Sequence, residues 1–101
     1  MTIKHIVMWR VRGDTAAERT ANALRVKAAF EPLRGCIPGL NCLEIGLDSS
    51  GADYACDLVL YSEFDSPESL AAYGSHPAHQ AAKQAAGELR IARHQVEYDA
   101  P

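Results

Sequence analysis

The segment Ile3–Arg12 (IKHIVMWRVR) alternates with a period of two and is apolar on both faces. Ile3, His5, Val7, Trp9 and Val11 fall on one side; Lys4, Ile6, Met8, Arg10 and Arg12 fall on the other, with Ile6 and Met8 in the middle of that side. A strand with one dry face needs one cover, whereas this strand needs a cover on each. A chain of 101 residues suits one domain with one core. The second cover is therefore expected from outside that core.

The remaining periodicities supply the first cover. Gly13-Asp14 breaks the strand, and Thr15-Ala16-Ala17-Glu18 fits a capping box that opens a helix. Ala23, Val26, Phe30 and Leu33 form its apolar stripe, with Leu24 and Ala28 expected to widen it. Arg34-Gly35 and Ile37-Pro38-Gly39-Leu40 end the helix and turn the chain. Leu43, Ile45 and Leu47 alternate with Glu44, Gly46 and Asp48 as a second strand, and Asp48-Ser49-Ser50-Gly51 is loop chemistry. A longer strand is expected over Tyr54–Phe64: Cys56, Leu58, Leu60, Ser62 and Phe64 share one face, while Val59 and Tyr61 lie opposite beside Asp57 and Glu63.

Ser66-Pro67 caps a short helix carrying Leu70 and Tyr73, which Gly74 is expected to stop. Ser75-His76-Pro77 restarts a helix with Ala78, Ala82, Ala85 and Leu89 as its dry stripe. Side chains that small require a close neighbour. A last strand runs over Ile91–Tyr98, with Ala92, His94, Val96 and Tyr98 on one side and a short tail after it. The order strand, helix, strand, strand, split helix, strand predicts an α+β, ferredoxin-like βαββαβ domain, a four-stranded antiparallel sheet with helices on one face. Ile6, Met8, Val59 and Tyr61 then form an apolar patch on the bare face, so two chains are expected to pack sheet against sheet as a symmetric homodimer.

Several function classes are set aside by composition. The net charge is −3 and the basic residues are scattered, so nucleic acid is not an expected partner. No apolar run has the length of a membrane span, and MTIKHIVMWRVR lacks the pattern of a secretory signal. Cys36, Cys42 and Cys56 have no metal-finger spacing and are expected as reduced, buried thiols in a cytoplasmic protein. Neither a phosphate-cradling glycine loop nor a GxSxG or HExxH motif is present.

Catalytic candidates reduce to histidines and tyrosines. His5 stands among apolar residues of the first strand, either as a core-edge histidine bonded to a backbone carbonyl or as a polar group in a small-molecule cavity. Tyr73 anchors the short helix or points its hydroxyl at a ligand. His76 and His79 flank Pro77; a helix beginning there puts His79 in its first turn, where the helix end and Lys83 favour neutral imidazole. His5, His76 and His79 have the residue types of a metal site, but only Asp57 and Glu63 are conceivable carboxylates to complete it, and no metal or other cofactor is expected.

The stretches Ile3-Lys4-His5-Ile6-Val7, Ile37-Pro38-Gly39-Leu40, Asp57–Phe64 and Tyr73-Gly74-Ser75-His76-Pro77-Ala78-His79, in this order, resemble the Dabb family of stress-responsive dimeric α/β-barrel domains along essentially the whole chain. The resemblance implies a ferredoxin-like subunit, residues 1–101, that pairs through its sheet into a barrel. One plant member, a polyketide cyclase, performs a cofactor-free aldol cyclisation. Its catalytic tyrosine and histidine correspond to Tyr73 and His79, and its first-strand pocket histidine corresponds to His5; its third-strand histidine has no counterpart at Asp57-Leu58. The resemblance thus implies His79 and Tyr73 as catalytic residues and His5 as a pocket residue; Val7, Trp9, Phe30 and His76 are the further residues expected around a small carbonyl or aromatic ligand. Two other readings stand beside it: a non-catalytic stress protein binding a ligand or partner, and, by fold analogy, a cofactor-free or haem-handling monooxygenase of the wider barrel superfamily.

Overall fold

The two-faced N-terminal segment becomes strand β1 (Thr2–Val11), which lies inside the sheet with a neighbour on each side. The computed structural model describes residues 2–101. After β1 come helix α1 (Ala16–Phe30), strands β2 (Leu40–Leu47) and β3 (Leu58–Phe64), helices α2 (Pro67–Ser75) and α3 (Pro77–Ala86), and strand β4 (Arg90–Ala100). The strands form one antiparallel sheet in the order β2-β3-β1-β4. This is the expected ferredoxin-like α+β fold. Among the described residues no helix is long and apolar enough to cross a membrane.

Local chemistry sets the element ends. Thr15 Oγ1 accepts from the Glu18 N–H at 3.1 Å, and the Glu18 carboxylate accepts from the Asp14 N–H at 2.8 Å, one residue outside a strict capping box. The stripe Ala23, Val26, Phe30 and Leu33 is buried, but Leu24 is 52% exposed and Ala28 is exposed as well. Ala29 flanks the stripe instead, because 3.6 residues per turn carries positions 24 and 28 round to solvent. A 3-10 turn over Glu31–Leu33 ends α1. Gly39 turns the chain into β2 with a φ of +82°, and a Cβ there would run into the Ser69 side chain.

The third strand begins at Leu58 rather than Tyr54. Asp57 is held outside it: its N–H donates to the Trp9 carbonyl at 2.8 Å and its carboxylate accepts from the Val11 N–H at 2.8 Å. These bonds fasten the loop to the end of β1 and leave Tyr54 90% exposed. Cys56 is half-buried with Cys42, and Cys36 is exposed, so none of the three thiols is the buried hydrophobe expected.

Gly74 does not stop α2. The helix runs to Ser75, and the break comes at His76, whose extended backbone (φ −65°, ψ 136°) is the conformation a following proline imposes. His76 then caps α3, its Nδ1 accepting from the Ala78 N–H at 3.0 Å. The buried alanines of α3 are Ala82 and Ala86; Ala85 faces solvent. As their size requires, α3 packs closely on α1. The expected tail belongs to β4, with Asp99 and Ala100 paired to β1 and Ala100 buried.

The core lies between the helices and the inner faces of β1, β2 and β3. Edge strand β4 is different. Its residues opposite the inner face of β1 are Arg93, Gln95, Glu97 and Asp99, all exposed, and the helices leave a cleft above them. On the outer face Ile6, Val59 and Tyr61 are half-buried, while Met8, Val96 and Tyr98 are 38%, 50% and 45% exposed.

Candidate functional site

The cleft above β4 holds two adjoining lobes of about 600 and 440 Å³. His5, Tyr73, His79 and Arg93 line both lobes and so stand at their junction. Three elements bring the rings together: His5 from the inner face of β1, Tyr73 from the last turn of α2 and His79 from the first turn of α3. The break at His76-Pro77 folds α3 back so that the Tyr73 and His79 rings lie 4.2 Å apart, centroid to centroid, inclined by 41°. His5 meets Tyr73 edge-on at 6.4 Å. Phe64 supports Tyr73 from the core at 5.1 Å.

The same break orients His79. It frees the Gly74 carbonyl, which accepts from Gln80 Nε2 at 2.8 Å and stands 3.3 Å from His79 Nδ1. A carbonyl only accepts, so Nδ1 carries the proton and Nε2 keeps the lone pair. Burial lowers the His79 pKa; the bond to Gly74 opposes this, while Lys83, Arg90 and His5 lower it further. The imidazole is therefore held neutral, chiefly by desolvation, with the expected help from Lys83. Desolvation also pushes the Tyr73 phenol up to about 12, which keeps its hydroxyl a hydrogen-bond donor.

His5 is 7% exposed, and its Nδ1 has no hydrogen-bond partner among the described residues. The expected bond to a backbone carbonyl is thus not made from this nitrogen. Glu97 lies opposite it across the β1–β4 ladder, with an oxygen at 3.7 Å, beyond direct hydrogen-bond reach. Burial lowers the His5 pKa, Arg93 adds to this, and Glu97 opposes it. The acid facing a site histidine is therefore Glu97. Asp57 is engaged by Val11, and Glu63 accepts from the Tyr61 hydroxyl at 2.6 Å. Among the described residues no three His, Cys, Asp or Glu side chains are grouped to hold a metal.

Val7, Trp9 and Phe30 line the larger lobe. Trp9 and Phe30 stack on each other at 5.0 Å, forming a wall and leaving the lobe open. His76 does not line either lobe; it is the cap between the helices. Sequence reasoning missed Arg90 and Arg93, and it named Lys83 for its effect on His79 but not as part of the lobe wall. Arg93 was findable: its parity on β4 sets it opposite Trp9. Arg90 was not, because a bulge between Arg10 and Val11 shifts the register and pairs Arg90 with Val11, bringing it to the cleft with the odd-numbered residues.

The pattern that matches this chain over residues 3–100 is the Stress responsive A/B Barrel Domain. The chain belongs to the Dabb family. Among solved structures, this Dabb chain is 31% identical to a dimeric protein of unknown function with a ferredoxin-like fold from Bacteroides fragilis NCTC 9343, with a TM-score of 0.84 over 98% of this chain and 96% of that one. A dimeric ferredoxin-like protein of unknown function from Thermobifida fusca is 25% identical, with a TM-score of 0.82 over 99% and 92% of the two chains. A hydroxynitrile lyase from Passiflora edulis shares the fold at 14% identity, with a TM-score of 0.76 over 96% and 91%. No curated protein matches the chain significantly.

Proposed function

We propose that this Dabb chain works as a homodimer that binds a small carbonyl or aromatic compound in the cleft and moves a proton on it using its own side chains. The observation that carries the reading is the Tyr73–His79 ring pair, 4.2 Å apart at the junction of two open lobes. His79 Nε2 takes a proton from the carbon next to the carbonyl. The Tyr73 hydroxyl donates to the carbonyl oxygen as negative charge gathers there, and His5 orients the substrate from the opposite wall. A neutral base beside a protonated phenol suits this chemistry, because the base accepts and the phenol donates at the same pH. Excluding water from a half-buried pair strengthens both contacts.

The dimer reading is supported by Met8, Val96 and Tyr98, which leave apolar surface exposed on the sheet face that no helix covers. The relatives from B. fragilis and T. fusca are described as dimeric, which points the same way. The test of the chemistry is proton exchange. Aryl ketones in deuterated buffer are followed by NMR for loss of the α-proton signal, with wild type against His79→Gln and Tyr73→Phe. Exchange that falls in both variants supports the assignment. Ketones that raise the unfolding temperature without exchanging leave the cleft as a binding site only, and exchange equal in all three proteins removes both residues from the mechanism.

A further inference from the structure

The larger lobe is electrically one-sided. Lys83, Arg90 and Arg93 line it and no Asp or Glu does, although the chain as a whole has a net charge of −3. Among the described residues none of these three cations is in a salt bridge; Glu97 faces His5, and Arg34 pairs with Glu31. Arg90 is half-buried, with its guanidinium carbon 5.5 Å from the ring centres of both Trp9 and Phe30. Its Nη2 reaches the Lys83 carbonyl at a long 3.4 Å, and its Nε is buried with no partner among the described residues. Guanidinium groups removed from water are ordinarily paired, since an uncompensated cation there is costly. The ring faces hold the guanidinium in place but leave its charge unmatched.

The β-bulge explains how this arrangement arises. In an unbroken ladder Arg90 and Arg93 would project to opposite faces of β4, one toward the helices and one away. The register shift at Arg10/Val11 brings Arg90 to the side Arg93 already occupies, so two guanidiniums share one lobe. Burial depresses the pKa of Arg90, and the neighbouring Arg93 adds to this. Like charges brought together in this way are relieved by a bound anion.

We propose that the compound taken by the cleft is an organic acid, with its carboxylate at Arg90 and Arg93 and its flat apolar body between Val7, Leu60 and the Tyr73–His79 pair. This deepens the functional reading above and rests on the cleft being a small-molecule site. Planar guanidinium groups suit a carboxylate because two N–H donors match its two oxygens. The aromatic and aliphatic walls suit an unsaturated body, and a bare inorganic anion would leave them wet.

The test pairs acids with their own neutral forms. Phenylpyruvate, cinnamate and naphthoate are titrated against their methyl esters, and inorganic phosphate is included as the bare anion. The readout is the indole N–H resonance of Trp9, the only tryptophan in the chain and part of the lobe wall. Each acid is expected to bind about tenfold or more tightly than its ester, the size of a charged hydrogen-bonded contact. In Arg93→Gln, an exposed position that the fold tolerates, that preference shrinks to a few-fold, and Arg93→Lys restores part of it. Acids and esters binding equally overturn the anion inference while leaving the cleft as a site. Phosphate binding as tightly as the acids overturns the role given to the apolar body. If none of the six organic probes shifts Trp9 at millimolar concentration, the inference falls together with the reading of the cleft.

Discussion

Acidification is expected to weaken the fold through the two histidines of the cleft. Burial lowers the pKa of both His5 and His79 from the ordinary value of 6.5. The folded state therefore releases these protons more readily than the unfolded chain does. Their contribution to stability is complete above pH 6.5 and is lost as the pH falls from there toward the lowered folded values. While an imidazole is charged in the unfolded chain and neutral in the fold, the slope is at most about 1.4 kcal/mol per pH unit. His5 is 7% exposed and His79 only half-buried, so His5 is expected to follow that slope more closely. Over the first pH unit below the ordinary value that slope caps the cost at about 1.4 kcal/mol for each histidine. The assay is urea unfolding at fixed protein concentration, at about pH 7.5 and about pH 5.5, for wild type, His5→Gln and His79→Gln. All other titrations cancel in the difference between wild type and variant. Each glutamine variant is expected to lose less stability on acidification than wild type, His5→Gln by the larger margin. If His5→Gln falls as steeply as wild type, the buried neutral imidazole is wrong. If His5→Gln loses more stability on acidification than wild type does, Glu97 at 3.7 Å outweighs burial and His5 is a cation.

Three further outcomes follow from the same contacts. Val96→Asp places a charge on the outer sheet face, where Val96 is 50% exposed, and should give monomers in sedimentation equilibrium, whereas Leu24→Asp on the helix side, 52% exposed, should not. Tyr73→Phe should slow proton exchange by about a hundredfold to a thousandfold while changing ligand affinity only a few-fold, measured by NMR exchange and titration. Trp9→Ala should cost about 3–5 kcal/mol in urea unfolding, because the indole is 3% exposed and stacked on Phe30 at 5.0 Å.

Period-two and helical spacings carried most of the fold. The inner face of β1, the stripe from Ala23 to Leu33 and the split at Pro77 could all be read from residues a few positions apart. Errors arose where a long-range bond decided the matter. Tyr54–Asp57 has strand-like alternation, but Asp57 spends its N–H and carboxylate on Trp9 and Val11, and nothing local announces that. Gly74 has the residue type of a helix stop, yet the proline three positions later overrides it. In the site, Tyr73 and His79 were legible because one helix break brings them together. Glu97 and the two arginines were harder to see, since their placement depends on the β1–β4 register and its bulge, which pair residues some eighty or ninety positions apart in sequence.

Strand β4 links the two surfaces that define the molecule. Among the described residues it pairs only with β1, and no helix packs over its inner side. Moving a helix over it would bury Arg93, Gln95, Glu97 and Asp99 with too few partners, so the cleft follows from the polarity of those residues. Val96 and Tyr98 alternate with them on the opposite side, where they are 50% and 45% exposed. A lone edge strand is free to fray, which would move Arg93 and Glu97 away from His5. In the proposed dimer a partner packed on this outer face would remove that freedom, and Val96 there lines neither lobe of the cleft. On these grounds the proposed dimer would hold the β4 side of the cleft still, and Val96→Asp should weaken ligand binding there even though no residue lining the cleft has changed.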